Sequence, residues 1–422
     1  MPIRVLIVEA SSGGVVGGSL TGFVHLVRGL DRGRFEPAMA LYEQKSIEPE
    51  LAALGVPVFH VSRKRIPKEH ALLDSPGYHR AREHGAIRGS LRGARQVARL
   101  LVEELPAAVQ LVRIARASRA DVIHLGNGVR ANFDGILAGM MARIPVVCHV
   151  KGFEKYGPRE QWGAKRLASL VFMTEAIAAH CRDRGIVAPD NRVIYDAVDS
   201  AWLVPAKSRE GVRAELGVGA DDPLILISGN IQEWKGQAVL VEAMGRIAAK
   251  HPRARCLVAG GVHRAGAEYA DAMRRRIAEL GLGERIHLLG FRDDMPDLIH
   301  AVDIVVHASV RPEPFGRVIL EGLLAGKLVI ATDAGGVREL IENEATGYLV
   351  PPGDDAALAA CLERALAAPE LAEEIGRRAK LWATEQFSLD RHVAEMGAVY
   401  ERAVAVHGAA RRESPAVRSE IT

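Results

Sequence analysis

The chain has 422 residues, of which 48% are hydrophobic and 25% charged, with a formal net charge of +3. That length suits two or three domains with sizeable cores, and so much apolar content at so little net charge excludes global disorder. No apolar run approaches the roughly 20 residues of a membrane-spanning helix, and the four cysteines (Cys148, Cys181, Cys256, Cys361) lie far apart with no Cys-x-x-Cys pair, which argues against a zinc site or a disulfide framework.

In chain order, the first element is a strand over residues 3–8, and the start Met1-Pro2-Ile3-Arg4 that opens it lacks the apolar core and cleavage site of a signal peptide. Gly13-Gly14-Val15-Val16-Gly17-Gly18-Ser19 then leads into a helix through Leu30. Strands over 122–125 and 146–150 each meet a Gly-containing turn, Gly126-Asn127-Gly128 and Lys151-Gly152. Beyond residue 205 the same grammar restarts, with strands over 224–228, 255–259, 286–289, 304–308 and 329–332. Strands alternating with helix-length amphipathic stretches predict α/β architecture with parallel sheets covered on both faces. Two such series predict two doubly wound, Rossmann-like domains. The boundary is expected near residues 199–209, giving domains over 1–204 and 205–386. Residues 387–404 have apolar side chains at helical spacing, and the tail from His407 reads as disordered. The expected setting is the reducing cytoplasm.

Residues 63–119 hold thirteen basic side chains, from Arg63 to Arg119, against five acidic ones, a net of +8. Such a stripe could engage an anionic acceptor or a membrane surface, or simply form a solvated helix face. Aromatic residues for base stacking are nearly absent there, which argues against nucleic acid.

The chemistry concentrates in Arg311-Pro312-Glu313-Pro314-Phe315-Gly316-Arg317-Val318-Ile319-Leu320-Glu321, at the carboxyl edge of the second predicted sheet, where doubly wound folds bind ligands. Pro314 suits the first turn of a helix, and amides near Phe315, Gly316 and Arg317 would then form an anion site. Glu313 precedes that helix and Glu321 lies about two turns into it, roughly 12 Å along the axis. That span could grip both ends of a nucleotide diphosphate sugar. Equally, the two acids could be a cap and a solvated helix residue.

Glu313-x7-Glu321 within Glu-Pro-Phe-Gly-Arg-Val-Ile-Leu-Glu resembles the signature of the retaining glycosyltransferases of family 4, which have the GT-B fold of two Rossmann-like domains facing each other across a cleft. The resemblance extends to Gly290-Phe291-Arg292-Asp293-Asp294-Met295-Pro296, to Thr332-Asp333-Ala334-Gly335-Gly336-Val337-Arg338-Glu339 and to Thr346-Gly347-Tyr348-Leu349-Val350-Pro351-Pro352-Gly353-Asp354. It implies that Glu313 faces the donor hexose and acts in catalysis, and that Glu321 takes the ribose. It also implies that Pro314, Phe315, Gly316, Arg317 and Val318 line the donor diphosphate and Phe291 and Arg292 the nucleobase. Gly229-Asn230-Ile231-Gln232-Glu233-Trp234-Lys235-Gly236 stands where the family has a phosphate-binding Gly-Arg…Lys-Gly loop. Lys235 falls on the diphosphate lysine, while Asn230 replaces the arginine; Arg317 or Arg264 could supply the missing charge. Gly17 and Gly18 fall beside the diphosphate, and His149 at the transferred sugar as the third catalytic residue.

The resemblance further implies acceptor binding by the first domain and a terminal helix, 387–406, returning to it. The partners expected are a UDP- or GDP-type sugar and a glycan or lipid-linked acceptor, as in polysaccharide or lipopolysaccharide synthesis. No Asp-x-Asp triplet occurs, so no metal and no cofactor is expected. Two other readings are a non-catalytic nucleotide-sugar binder of the same fold, favoured only by Asn230, and another GT-B enzyme such as an epimerase or phosphorylase. The last lacks any evident pyridoxal-lysine context.

Overall fold

A computed structural model describes residues 1–10, 18–64, 96–262 and 266–413. The described residues form two compact units, one from Met1–Met173, Ala178–Ile194 and Val393–Thr422, the other from Thr174–Ile177 and Tyr195–His392.

The first unit is built on seven parallel strands, β1 (Ile3–Glu9), β2 (Phe35–Leu41), β3 (Val58–His60), β4 (Val122–Leu125), β5 (Val146–Val150), β6 (Ser169–Phe172) and β7 (Asp190–Val193), in the order β3-β2-β1-β4-β5-β6-β7. β4 and β5 are buried along their whole length because helices cover both faces, which is why they are largely apolar, each broken by one histidine, rather than alternating. One face packs Phe23, Val24 and Val27 of the first helix against Val5, Ile7 and Met39. Met396, Val399, Tyr400 and Ala403 of the last helix join the same core.

The second unit repeats the plan with six strands, β8 (Leu224–Ser228), β9 (Arg255–Ala259), β10 (Ile286–Gly290), β11 (Ile304–His307), β12 (Leu328–Thr332) and β13 (Tyr348–Val350), ordered β10-β9-β8-β11-β12-β13 and again parallel. In each sheet the winding reverses between the unit's first and fourth strands, β1/β4 and β8/β11. There the loops at the carboxyl ends diverge and leave room for a ligand.

Three expectations are corrected. The chain joins the second unit already at Tyr195, before the polar stretch at 199–209. Tyr195 packs edge-on against Phe387 at 5.2 Å, and His392 Nδ1 donates to the Tyr195 carbonyl at 2.7 Å, so this segment is held within that unit. The helix expected over 387–404 runs Leu389–Glu413, so residues 407–413 of the anticipated disordered tail are helical. Of the basic stripe, Arg65, Lys68, Arg80, Arg82, Arg88, Arg92 and Arg95 lie outside the described residues. Within it, Arg63 is turned inward, paired with the fully buried Asp134 at 2.5 Å and lying over the Tyr42 ring, while Arg99 pairs with the buried Glu104 at 3.0 Å. Lys64, Arg113, Arg116 and Arg119 stay exposed. Among the described residues no helix is long and apolar enough to cross a membrane.

Candidate active site

Two loops at the β8/β11 reversal build the centre of the second unit. After β8, Gly229 and Asn230 lead to a single 3-10 turn, Glu233–Lys235, closed by Gly236 in the left-handed region (φ 70°). A Cβ on Gly236 would lie 1.8 Å from the carbonyl oxygen of Ala308, so only glycine lets this loop pass the end of β11. The Val310 amide donates to the Trp234 carbonyl at 2.9 Å, which ties the two loops together. Lys235 is thereby aimed at the segment after β11, its ammonium 4.0 Å from the centre of the Trp234 ring.

Glu313 receives it. Lys235 Nζ donates to Glu313 Oε2 at 2.8 Å. The same oxygen accepts from Ser309 Oγ at 3.1 Å and lies 3.2 Å from His307 Nε2, which must carry the proton because an ionised carboxylate can only accept. The Glu313 backbone bridges Gly335, and the Gly336 amide donates to its carbonyl at 2.9 Å. Burial pushes the Glu313 carboxyl up, but the His307 hydrogen bond and the Lys235 charge outweigh it and hold the group at about 2. Glu313 is therefore a fixed anion at physiological pH.

The helix that follows begins later than the sequence suggests. Its cap is Gly316 (φ 92°) and its first residue Arg317, so Pro314 lies outside the first turn and instead offers its carbonyl to Thr174 Oγ1 at 3.0 Å. The Phe315 side chain is buried against Phe387, at 6.1 Å between rings, so only its backbone could meet a ligand. Val318 is half-buried in the first turn. Glu321 is only 8% exposed, not solvated, with Arg317 Nη2 at 3.7 Å. Burial pushes its carboxyl up to about 7, partly offset by Arg317. The two acids of the signature thus sit in opposite electrostatic states, one pinned ionised and one poised to titrate.

The other anticipated donor residues are more dispersed. Asn230 is exposed, and its carbonyl accepts from Gln237 Nε2 at 3.1 Å. Phe291, after the edge strand β10, is 75% exposed. Arg292 is engaged by Asp294 (Nε to Oδ1, 2.7 Å) and by Glu215 at 3.2 Å, so its charge is already balanced. Arg264 and Gly17 lie outside the described residues; Gly18 opens the helix Gly18–Gly29.

In the first unit, His149 lies one residue before the end of β5, almost wholly buried, its ring stacked on that of His124 at 5.8 Å and its carbonyl accepting from the Gly128 amide at 2.9 Å. His124 in turn lies 2.7 Å from the Tyr400 hydroxyl. At the same sheet edge Glu9 is fully buried and accepts from Asn127 Nδ2 at 2.5 Å. Among the described residues no three His, Cys, Asp or Glu side chains gather as a metal site.

Sequence reasoning singles out Glu313 and Lys235, which the fold brings together, but not His307 and Ser309, which join them. The signal was present: polar residues two apart at the end of an apolar strand share one face and precede the glutamate by six and four positions.

Comparison with known proteins places this geometry. HepE of Anabaena, solved in complex with UDP and glucose, superposes with a TM-score of 0.77 over 94% of this chain and 99% of its own, at 23% identity. The two parallel-sheet units therefore make up a GT-B fold. The model described as glycosyl transferases group 1 matches residues 208–382, and the glycosyl transferase 4-like domain matches residues 17–196. Among relatives, EpsD of Bacillus subtilis (strain 168) is 28% identical over 69% of this chain and 79% of its own length. LpcC of Rhizobium leguminosarum bv. viciae, a lipopolysaccharide core biosynthesis mannosyltransferase, is 30% identical over 54% of this chain and 64% of its own length, just under two thirds. The chain belongs to the family 4-like glycosyltransferases and is an enzyme of that class.

Proposed function

We propose that this enzyme transfers a hexose, with retention of anomeric configuration and without a metal, from a UDP- or GDP-type sugar to a glycan or lipid-linked acceptor. The observation that carries the reading is the Lys235–Glu313 ion pair, 2.8 Å long, at the reversal point of the second sheet. In this reading the second unit binds the donor and the first the acceptor. Lys235 and the amides of the first turn from Gly316 meet the diphosphate charge, as donors preset where charge develops in the transition state. Glu313 stays ionised throughout and faces the hexose, so its field favours the positive charge that grows on the anomeric carbon as the leaving phosphate departs. The departing phosphate takes the acceptor's proton, which is how the acceptor can enter on the face the nucleotide leaves. Glu321 takes ribose hydroxyls, and His149, held by the His124 stack, orients the sugar.

The UDP and glucose in HepE and the mannosyltransferase LpcC support a nucleoside diphosphate hexose as donor. The exposed Lys64, Arg113 and Arg116 support contact with an anionic surface on the cytoplasmic face of a membrane, where a lipid-linked acceptor would be met. The test is incubation with a panel of UDP-, GDP- and ADP-hexoses while free nucleotide is scored. One donor class should release nucleotide far above the rest, slowly with water and faster with acceptor. No release from any member would overturn the assignment.

A further inference from the structure

Glu313 is held asymmetrically. Lys235, His307 and Ser309 all converge on Oε2, at 2.8, 3.2 and 3.1 Å, and no described residue donates to Oε1. One oxygen is saturated by the protein and the other is left for a ligand. The three partners differ in kind. Lys235 reaches in from the loop after β8 and is also the cation that, in the proposed function, meets the diphosphate. His307 and Ser309 belong to β11 and the residues just after it. His307 is 6% exposed, Ser309 is fully buried, and Ser309 Oγ lies 2.9 Å from His307 Nε2, so the two form a rigid pair fixed to the sheet. The His307 ring has no other anchor at Nδ1, which is buried with no partner. Its one hydrogen-bonding task is on the Glu313 side.

A lysine has three donors but one charge, and a diphosphate offers that charge more negative partners than a single carboxylate does. When a dianionic diphosphate arrives, the ammonium is drawn toward it, and Glu313 loses its strongest partner when its position matters most. We propose that His307 and Ser309 are positioning residues that hold Glu313 Oε2 while Lys235 turns to the donor, so that Oε1 stays aimed at the hexose. This rests on the reading of Glu313 as the residue facing the donor sugar. In that arrangement the free enzyme stores Lys235 on Glu313, and donor binding exchanges one cation without letting the carboxylate swing.

The test is steady-state nucleotide release from UDP-glucose and GDP-mannose as probe donors, with UDP and GDP binding measured separately by calorimetry, for His307→Leu, His307→Gln, Ser309→Ala and Glu313→Gln. A hydrogen bond to a charged group is worth roughly ten- to a hundredfold, so kcat for His307→Leu should fall by that factor while nucleotide affinity changes less than about threefold. His307→Gln keeps an N–H near the Nε2 position and should recover most of the loss, which a merely structural role would not predict. Adding His307→Leu to Glu313→Gln should cost little more, because both act through the same carboxylate. Thermal unfolding of each variant separates misfolding from this effect, and Ser309→Ala supplies an independent arm if His307→Leu does not fold. Normal kcat in both His307→Leu and Ser309→Ala, or full additivity with Glu313→Gln, would overturn the proposal while leaving Glu313 in place. Normal kcat for Glu313→Gln, or no release by the wild type from these probes or from any other member of the donor panel, would overturn the underlying reading and the proposal with it.

Discussion

Glu321 offers a quantitative test, because its burial makes opposite demands on stability and on function. The carboxyl is 8% exposed, its nearest cation is 3.7 Å away, and burial raises it from an ordinary 4.5 to about 7. The folded chain then holds this proton more tightly than the unfolded chain. Its contribution is nil below pH 4.5 and turns increasingly unfavourable as pH climbs to 7, above which the cost is complete. At about 1.4 kcal/mol per pH unit, the full cost is on the order of 3 kcal/mol. Glu321→Gln keeps the shape and removes the charge. The donor-free variant should match the wild type in thermal unfolding at pH 5 and exceed it by several degrees at pH 8. Nucleotide binding should move the other way. If ribose hydroxyls donate to the ionised carboxylate, UDP or GDP affinity of the wild type rises between pH 6 and 8. The variant stays flat and is weaker at pH 8 by roughly ten- to a hundredfold. A stability difference that is equal at pH 5 and pH 8 would refute the electrostatic account of this residue.

Turnover should survive excess chelator unchanged, since the diphosphate charge is assigned to Lys235 and helix amides; a complete loss restored by Mg²⁺ or Mn²⁺ would contradict that assignment. Gly236→Ala places a Cβ 1.8 Å from the Ala308 carbonyl oxygen at a φ of 70°. It should lower stability by at least about 2 kcal/mol in a denaturant melt and displace Lys235 from Glu313. Among the described residues, Arg63→Met leaves the buried Asp134 with the Tyr42 hydroxyl (2.5 Å) and the Gly135 amide (3.0 Å) and no cation. A loss of about 3–5 kcal/mol is expected in the same measurement.

Much of this architecture is legible because burial on both faces writes itself into composition. β5 is Val146-Val147-Cys148-His149-Val150, and β8 is Leu224-Ile225-Leu226-Ile227-Ser228, neither of which suits a solvent-facing segment. Not every edge strand carries such a mark. β7 is Asp190-Asn191-Arg192-Val193, half exposed, and its strand geometry comes from pairing with β6 rather than from propensity. The start of the site helix was misplaced for a similar reason. Pro314 favours a first turn locally, but the bridge from Glu313 to Gly335 keeps the chain extended until Gly316. The two glutamates were found by their spacing, yet their unlike electrostatics were not. Those depend on Lys235, distant in sequence from Glu313, and on how deeply the helix is packed. His307 was hidden inside an apolar strand, where a histidine more often serves the core.

The central claim is that Glu313 stabilises the reacting sugar and does not merely bind it. The most direct measurement is kcat for Glu313→Gln beside its nucleotide affinity, taken with the donor the panel selects. Contacts that strengthen only as charge develops affect turnover and leave ground-state binding alone. A fall in kcat of about a hundredfold or more, with nucleotide affinity within a few fold of wild type, is the predicted result. Near-normal kcat in a folded Glu313→Gln enzyme would contradict the account at its core.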